Sequence, residues 1–429
     1  MNRLAITNVR LLDPASGLDV PGGLVIEGGH IADFGPNVPG DAPADDFELI
    51  DGGGACLAPG LVDARVQLGE PGAEHKETFA SGSAAAAAGG VTTLACLPDT
   101  KPPVDDPAMV EFVARRARRV RGVKVHPYAA LTQGLRGEEL TEVGLLCEAG
   151  AVGLTDAGRA VADSGVMRRA LMYARRFDAL IVQHPEDPAL AGGVMNAGEL
   201  ATRLGLPGIP AVAEVILIER DLRLVELTGG RLHFAHVSTA AGVEAIRRAK
   251  ARGLPITAET TPAHLILNEL AVHGYRTYAK LSPPLRSEQD RLALVEGVVD
   301  GTLDIVVSDH CPQDQDSKRV PFARAEFGAV GLETLLPVGL LLVRQGRLSL
   351  LQLLDRLTRR PAELLGLEAG RLRRGAPADL VLFDPDAPWQ VREEDLHSLA
   401  RNTPFEGMLV QGRVLRTWVD GRTVFVREG

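Results

Sequence analysis

Five polar side chains that could bind a metal ion or move a proton each lie at the end of an apolar, strand-like stretch. They are Asp156, His184, His236, Glu259 and Asp309. If these stretches are parallel strands of one barrel, their carboxyl ends meet at one mouth, where such barrels carry their active sites. Imidazoles and carboxylates that converge there could hold a divalent metal ion and activate water. A single such residue more often makes a structural contact, so the prediction of a site rests on their repetition.

The middle of the chain alternates strand-like apolar runs with helical segments. The predicted strands are 60–66, 91–97, 123–129, 151–155, 179–183, 231–237, 256–259 and 303–308. The predicted helices include 107–121, 138–149, 165–177, 213–227, 240–252 and 288–300. Strands and helices that alternate in this way predict an α/β fold, a (β/α)8 TIM-type barrel. A doubly wound open sheet is the alternative, but no Gly-x-Gly-x-x-Gly follows any predicted strand, which disfavours a dinucleotide-binding fold.

Both ends of the chain carry a shorter β pattern. Residues 4–9 and 23–31 near the start, and 378–383 and 414–426 near the end, are predicted strands. The last range contains Asp420-Gly421, a strong hairpin signal. We expect the two ends to pair into a small composite β-sandwich. The predicted domains are therefore 1–55 plus 370–429 for the sandwich and 56–369 for the barrel.

Composition and charge exclude several function classes. The chain has 429 residues, and its 46 basic and 56 acidic residues give a formal charge of −10. With only 4% aromatic residues, this argues against nucleic acid as a partner, and the basic run 115–124 is expected to be a solvated helix face. The four cysteines are far apart and form no Cys-x-x-Cys pair. We see neither a signal peptide nor a membrane span and expect a cytoplasmic protein.

A series of motifs along nearly the whole chain resembles those of the dihydroorotase family of cyclic amidohydrolases. In order they are APGLVDARVQLGEPG (58–72), CLPDTKP (96–102), GLTDAG (153–158), QHPED (183–187), HVST (236–239), AETTPAHL (258–265), KLSPPLR (280–286), SDHCPQ (308–313), GAVGLETLLP (328–337) and ADLVLFDP (378–385). The resemblance implies a metal-dependent barrel with a composite β-sandwich and a role in pyrimidine biosynthesis. It places Asp156, His184 and His236 at metal-ligand positions and Asp309 at the position of the general base. Together these four residues are the predicted partial zinc site.

The chain departs from the family pattern where metal would be bound. Family enzymes carry a His-x-His pair after the first strand, and both imidazoles bind metal. We take the matching positions as Ala64 and Val66, and no histidine lies between Val62 and Gly72. Zinc is therefore expected to bind weakly or not at all.

The positions implied for substrate binding are also changed. They hold Gly69, Asp99, Ser282 and Gln313. Gly69 replaces an arginine and cannot grip a substrate carboxylate through two charge-assisted hydrogen bonds. Asp99 replaces an asparagine and would repel an anionic substrate.

Two functions remain open. The favoured one is a non-catalytic subunit that scaffolds or stabilises aspartate carbamoyltransferase, as degenerate dihydroorotase-like chains do in some bacteria. The loss of the clamp and of half the metal site favours it, because hydrolysis of a cyclic amide needs an activated water, a base and a clamp. The alternative is an active zinc-dependent dihydroorotase, or a relative that acts on another cyclic amide. In either case the chain is expected to form an oligomer.

Overall fold

Strands and helices alternate through most of the computed structural model, which describes residues 3–38 and 48–428. The strands are β1 (Arg3–Asp13), β2 (Leu18–Glu27), β3 (His30–Gly35), β4 (Glu48–Asp51), β5 (Cys56–Pro59), β6 (Leu61–Val66), β7 (Val91–Cys96), β8 (Lys124–Pro127), β9 (Leu154–Thr155), β10 (Ile181–Gln183), β11 (Met195–Asn196), β12 (Gly208–Ile209), β13 (Leu232–Phe234), β14 (Ile256–Thr260), β15 (Ile305–Val306), β16 (Leu380–Gln390), β17 (Leu409–Val419) and β18 (Arg422–Val426). The α-helices are α1 (Phe79–Ala88), α2 (Pro107–Val120), α3 (Val143–Glu148), α4 (Ser164–Ala174), α5 (Glu199–Leu204), α6 (Val212–Thr228), α7 (Ala240–Ala251), α8 (Pro262–Ile266), α9 (Glu288–Asp300), α10 (Gln315–Lys318), α11 (Leu335–Arg344), α12 (Leu350–Leu357) and α13 (Arg359–Leu365).

Eight parallel strands form the barrel. Strands β6, β7 and β8 pair in one group, and β9, β10, β13, β14 and β15 pair in a second. A bridge between Ala129 and Leu154 joins β8 to β9, and a bridge between Val66 and His310 joins β6 to the segment after β15. These contacts complete the ring, so the predicted (β/α)8 barrel is confirmed.

The barrel strands are apolar runs covered on both faces. Every residue of β6 and β7 is buried, which is typical of parallel strands enclosed between helices and an interior. The outer layer packs strand residues such as Leu94 and Ile181 against helix residues such as Val110 and Ile246. Polar N-cap residues start several helices, for example Ser287, whose side chain accepts a hydrogen bond from the Asp290 N–H. The apolar runs thus form the parallel strands, the capped helices connect them, and the carboxyl ends of the eight strands meet at one mouth.

The two ends of the chain pair as expected. They build one eight-stranded sheet in the order β18-β17-β16-β5-β1-β2-β3, with β4 beside β1. This sheet has its own core, which includes Ile6, Leu57 and Trp418. The Asp420-Gly421 turn joins β17 to β18, and both residues have the positive φ that a tight hairpin turn requires, 49° and 70°.

Two barrel strands are shorter than the sequence predicts. Strand β9 spans Leu154–Thr155 and lacks the first three residues of its predicted range, and β15 spans Ile305–Val306, two residues inside each end of its predicted range. Within the described ranges, no helix is long and apolar enough to cross a membrane.

Candidate functional site

A cavity of about 490 Å³ lies at the carboxyl ends of the barrel strands. Arg65 and Gln67 enter it from the end of β6, and Asp99 enters from the segment after β7. His236 follows β13 and Asp309 follows β15, and both line the same cavity. The mouth therefore gathers a guanidinium, an amide, an imidazole and two carboxyl groups in one place.

The assignment of the family's histidine positions to Ala64 and Val66 is wrong. Both residues are buried among apolar side chains, whereas Arg65 and Gln67 line the cavity. Side chains alternate between the two faces of a strand, so a pair two residues apart that shares the cavity must be 65 and 67. An arginine and a glutamine thus stand where the family has its His-x-His pair.

Arg65 is a buried cation at the centre of the site, with only 4% of its side chain exposed. Its Nε donates to Asp309 Oδ1 over 2.8 Å, and its Nη2 donates to the Ala157 carbonyl over 3.2 Å. Its Nη1 has no hydrogen-bond partner within the described ranges. Burial disfavours the charge, but the carboxylates of Asp309 and Glu259 outweigh it and raise the pKa of Arg65. Arg65 therefore stays charged.

His184 and His236 form a buried imidazole pair. The Nδ1 of His184 lies 3.2 Å from the Nε2 of His236, and the ring planes meet at 69°. His184 Nε2 lies 3.6 Å from a carboxylate oxygen of Glu186. Burial, followed by the nearby charges of Arg65 and His184, holds the pKa of His236 well below its ordinary value. His236 is therefore a neutral imidazole at physiological pH.

Asp156 holds a loop. One oxygen accepts hydrogen bonds from the backbone N–H groups of Leu131 and Thr132, at 3.1 and 2.9 Å, and the other accepts from the Thr132 hydroxyl. Burial raises its pKa. Asp156 does not line the cavity but fixes the segment after β8. Of the other three predicted ligands, His236 and Asp309 line the cavity, and His184 lies behind His236.

These residues do not fit a divalent metal ion. Among residues 3–38 and 48–428, no three His, Cys, Asp or Glu side chains are arranged to hold one. The Asp309 carboxylate is already paired with the Arg65 guanidinium, and the two imidazoles contact each other. A fixed positive charge next to the remaining donors would repel a second cation. The donor set thus differs from the zinc site that the motifs predict.

The four changed substrate positions do lie together. Gly69, Asp99, Ser282 and Gln313 all line the cavity. Asp99 accepts a hydrogen bond from the Gln67 amide, and burial raises its pKa. Gln313 accepts from the Lys76 ammonium over 2.7 Å and donates to the Phe327 carbonyl over 2.8 Å. Each of these two side chains is therefore held by a neighbour within the site.

The backbone around Gly69 leaves no room for a side chain. A Cβ atom at this position would lie 2.2 Å from the Ala73 carbonyl oxygen and 2.9 Å from that of Glu77. The Ala73 N–H also donates to the Gly69 carbonyl over 2.6 Å. Backbone atoms of the loop after β6 therefore occupy the space that a larger residue at position 69 would need.

The sequence interpretation missed the basic residues of the cavity. Lys76 and Lys101 line it together with Arg65, and Asp99, Asp309 and Glu326 supply an equal number of acidic groups. The cavity therefore carries no net formal charge that would favour an anionic substrate. The alternation of side chains from Asp63 onward was a signal that could have identified Arg65 and Gln67.

Comparisons with known proteins agree with the motifs. Residues 54–241 match a family model described as Dihydro-orotase-like, and residues 330–425 match one described as Amidohydrolase family. A protein of Syntrophotalea carbinolica named Dihydroorotase is 47% identical over 424 residues, covering 99% of each chain. One of Anaeromyxobacter sp. (strain K) with the same name is 48% identical over 426 residues, covering 98% of this chain and 97% of the relative.

Solved structures share the fold. An L-hydantoinase (dihydropyrimidinase) from Arthrobacter aurescens superposes with a TM-score of 0.87 at 27% identity, covering 99% of this chain and 96% of that one. A dihydropyrimidinase from Brevibacillus agri NCHU1002 gives 0.84 at 25% identity, covering 99% and 95%. Since relatives that share nearly half of their residues with it match almost its whole length, the chain belongs to the dihydroorotase family of cyclic amidohydrolases.

Proposed function

We propose that this chain acts in the cytoplasm, in pyrimidine biosynthesis, as a non-catalytic member of its family that scaffolds or stabilises aspartate carbamoyltransferase. The names of its relatives support the pathway. The observation that carries the loss of catalysis is the Arg65 guanidinium, which pairs with Asp309 where the family places metal ligands and a base. The resemblance of the motifs to degenerate family members supplies the partner.

Three elements of hydrolysis are weakened together. Asp309 sits at the position of the base. Burial raises its pKa, but its carboxylate is paired with Arg65 at 2.8 Å, and this ion pair opposes proton uptake from a water molecule. The donor set does not fit the metal that would activate that water. The substrate clamp is absent at Gly69, where the backbone leaves no room for a side chain. Losses of this kind multiply, since each 1.4 kcal/mol or so of lost transition-state stabilisation reduces the rate about tenfold.

The test is an assay of both directions of the family reaction. Purified chain, with and without added zinc, should neither hydrolyse dihydroorotate nor cyclise N-carbamoyl-aspartate above background. The matched control is Asp309→Ala, which should give the same trace as the unmodified chain. A turnover of about 1 per second or more that disappears in Asp309→Ala would contradict the proposal.

A second candidate function is zinc-dependent dihydroorotase activity. The names of the relatives favour it, because proteins 42 to 48% identical to this chain bear the name Dihydroorotase. It requires Arg65 to leave Asp309 so that a metal ion can reach Asp309, His184 and His236. The same assay separates the two candidates, since only this one predicts turnover that rises with zinc.

A further inference from the structure

A groove with a volume of about 560 Å³ lies on the outside of the barrel, between the carboxyl ends of α4 and α6. Because α6 ends at Thr228 and β13 begins at Leu232, the groove lies at the amino ends of the barrel strands, at the opposite end from the mouth. Its lining consists of Arg168, Met172, Arg175, Arg176, Leu227 and Thr228. None of these six residues is acidic, although the whole chain has a formal charge of −10. We call this surface the α4–α6 groove.

Two arginines of the groove have no partner of opposite charge. Arg168 and Arg176 are exposed, and their side chains make no hydrogen bond or ion pair within residues 3–38 and 48–428. Arg175 differs, because its Nη1 donates to the Thr228 carbonyl over 3.0 Å and joins the two sides of the groove. The helix dipole favours a cation at the carboxyl end of α4, which accounts for Arg176 but not for Arg168 in the second turn. Both guanidinium groups are therefore free to pair with carboxylates of another molecule.

Apolar side chains that remain in contact with water lie beside these arginines. Met172 is 53% exposed and Leu227 is 69% exposed, and both line the groove. Val212 and Ile216, also on α6, are 48% and 44% exposed. At about 100° per residue, the three α6 residues point within roughly 60° of one another, so they form one apolar strip along the helix. Neighbouring apolar side chains exposed in this way are typical of a protein interaction surface.

We infer that the α4–α6 groove docks an acidic segment of aspartate carbamoyltransferase. Carboxylates of this segment pair with Arg168 and Arg176, and one of its apolar side chains packs against Met172 and Leu227. The inference rests on the proposed function for the identity of the partner and on the groove for the chemistry of the segment. Arginine pairs with a carboxylate through two parallel hydrogen bonds, and both arginine and methionine are enriched at protein interfaces.

The charge of the groove also argues against a second copy of this chain as the occupant. In a symmetric dimer the same face would meet itself, so Arg168 and Arg176 would lie opposite arginines and repel them. A stable interface buries about 1,000 Å² or more, so the docked segment must extend beyond the groove, along the apolar strip of α6. An acidic partner that carries apolar side chains satisfies both requirements.

The experiment measures the binding of purified aspartate carbamoyltransferase from the same organism by biolayer interferometry. It compares the unmodified chain, the double variant Arg168→Glu with Arg176→Glu, and Leu227→Ser. The double variant should bind at least about tenfold more weakly, because two attractions become two repulsions. Leu227→Ser should bind about threefold more weakly or worse, because it removes an apolar contact. Raising the salt from about 50 to about 500 mM should weaken the unmodified chain more than the double variant.

The matched control is Arg118→Glu with Arg119→Glu on α2. These arginines are exposed and have no hydrogen-bond or ion-pair partner for their side chains in the described part of the chain, but every large apolar side chain of α2 is buried or half-buried. The control changes the net charge by the same amount and should bind as the unmodified chain does. Because all substituted side chains are exposed, each variant should unfold within about 2 °C of the unmodified chain. If a double variant does not fold, Leu227→Ser alone decides the test.

The outcomes separate this inference from the proposed function. If the unmodified chain does not bind the carbamoyltransferase, both are overturned. If it binds and the groove variants bind equally well, the inference is overturned and the scaffold proposal stands. Equal weakening by the two double variants would show a general effect of charge and would also overturn the inference. So would light scattering that finds the chain alone in an oligomer that only the groove variants dissociate, because a second copy would then occupy the groove.

Discussion

Two side chains at the end of β6 account for most of the difference between this site and the one its motifs predict. Arg65 contributes a permanent positive charge, and Gln67 contributes an amide that binds Asp99. Neither can bind zinc as an imidazole does, because a guanidinium has no free lone pair and an amide oxygen is a weaker ligand for this metal. The chemistry of the mouth thus changes without any change of fold.

Asp63 should make the stability of the barrel depend on pH. It is completely buried, its Oδ1 accepts from the N–H groups of Arg65 and Ser308, and burial raises its pKa to about 7. Because the folded state binds this proton more tightly than the unfolded state, its contribution is full below about pH 4 and is lost as the pH rises towards 7. Asp63→Asn keeps the acceptor and removes the titration.

Urea unfolding between pH 4 and pH 8 checks this expectation. The unmodified chain should lose free energy of unfolding relative to Asp63→Asn as the pH rises, by roughly 1.4 kcal/mol for each unit of pKa shift. A difference between the two proteins that stays constant over this range would contradict it.

At this scale the sequence places some of the predicted residues in the cavity and misplaces others. His236 and Asp309 were predicted at the mouth because polar residues ended apolar runs, and they line the cavity. The motif letters alone place the family's histidine positions at Ala64 and Val66, whereas the alternation of side chains along β6 brings Arg65 and Gln67 to the cavity. Asp156 was proposed as a ligand, but sequence alone does not show that its oxygens accept hydrogen bonds from Leu131 and Thr132.

At the scale of elements, the apolar runs predict all eight barrel strands and most of the helices between them. Helix α9, for example, was predicted as 288–300 and spans Glu288–Asp300. Helix α1 (Phe79–Ala88), between β6 and β7, is not among the predicted helices. The sequence pattern does not predict the conformation of the segments above the mouth, because that conformation depends on tertiary contacts. Strands β11 and β12 and helix α5 lie in such a segment, and no periodic pattern predicts them.

The loop after β6 should not accept a restored arginine. Gly69→Ala already places a Cβ atom 2.2 Å from the Ala73 carbonyl oxygen, so it should lower stability by about 1 to 3 kcal/mol through overpacking. Gly69→Arg should be at least as unstable and should not produce catalysis. Chemical denaturation measures both effects.

Gly158 provides the matched control for this loop. It lines the same cavity, and in the described structure a Cβ atom there would meet nothing within 4 Å. Gly158→Ala should therefore change stability by less than about 0.5 kcal/mol. Similar losses in Gly69→Ala and Gly158→Ala would show that the close approach of Ala73 is not what constrains the loop.

At the scale of the whole molecule, the fold survives while the site is altered. On the proposed function, the barrel acts through its surface, and a stable interface needs about 1,000 Å² or more of buried area. We predict that the chain forms a large complex with aspartate carbamoyltransferase of its own organism. By mass action on the assembled state, the partner's stability or activity should then depend on this chain.

Co-expression followed by size-exclusion chromatography with light scattering tests the complex. One peak that contains both chains, and carbamoyltransferase activity that falls when this chain is omitted, are the expected results. Two separate peaks at micromolar concentration, with activity unchanged, would contradict the scaffold proposal.

The central claim is that Arg65 and Gln67 replace a metal-binding pair, and the zinc content of purified protein after dialysis tests it most directly. Elemental analysis of the unmodified chain should find less than about one tightly bound zinc ion per chain. The double variant Arg65→His with Gln67→His should retain at least about one more than the unmodified chain, because it restores two imidazoles at the end of β6. About two zinc ions per unmodified chain, with no increase in the double variant, would contradict the account.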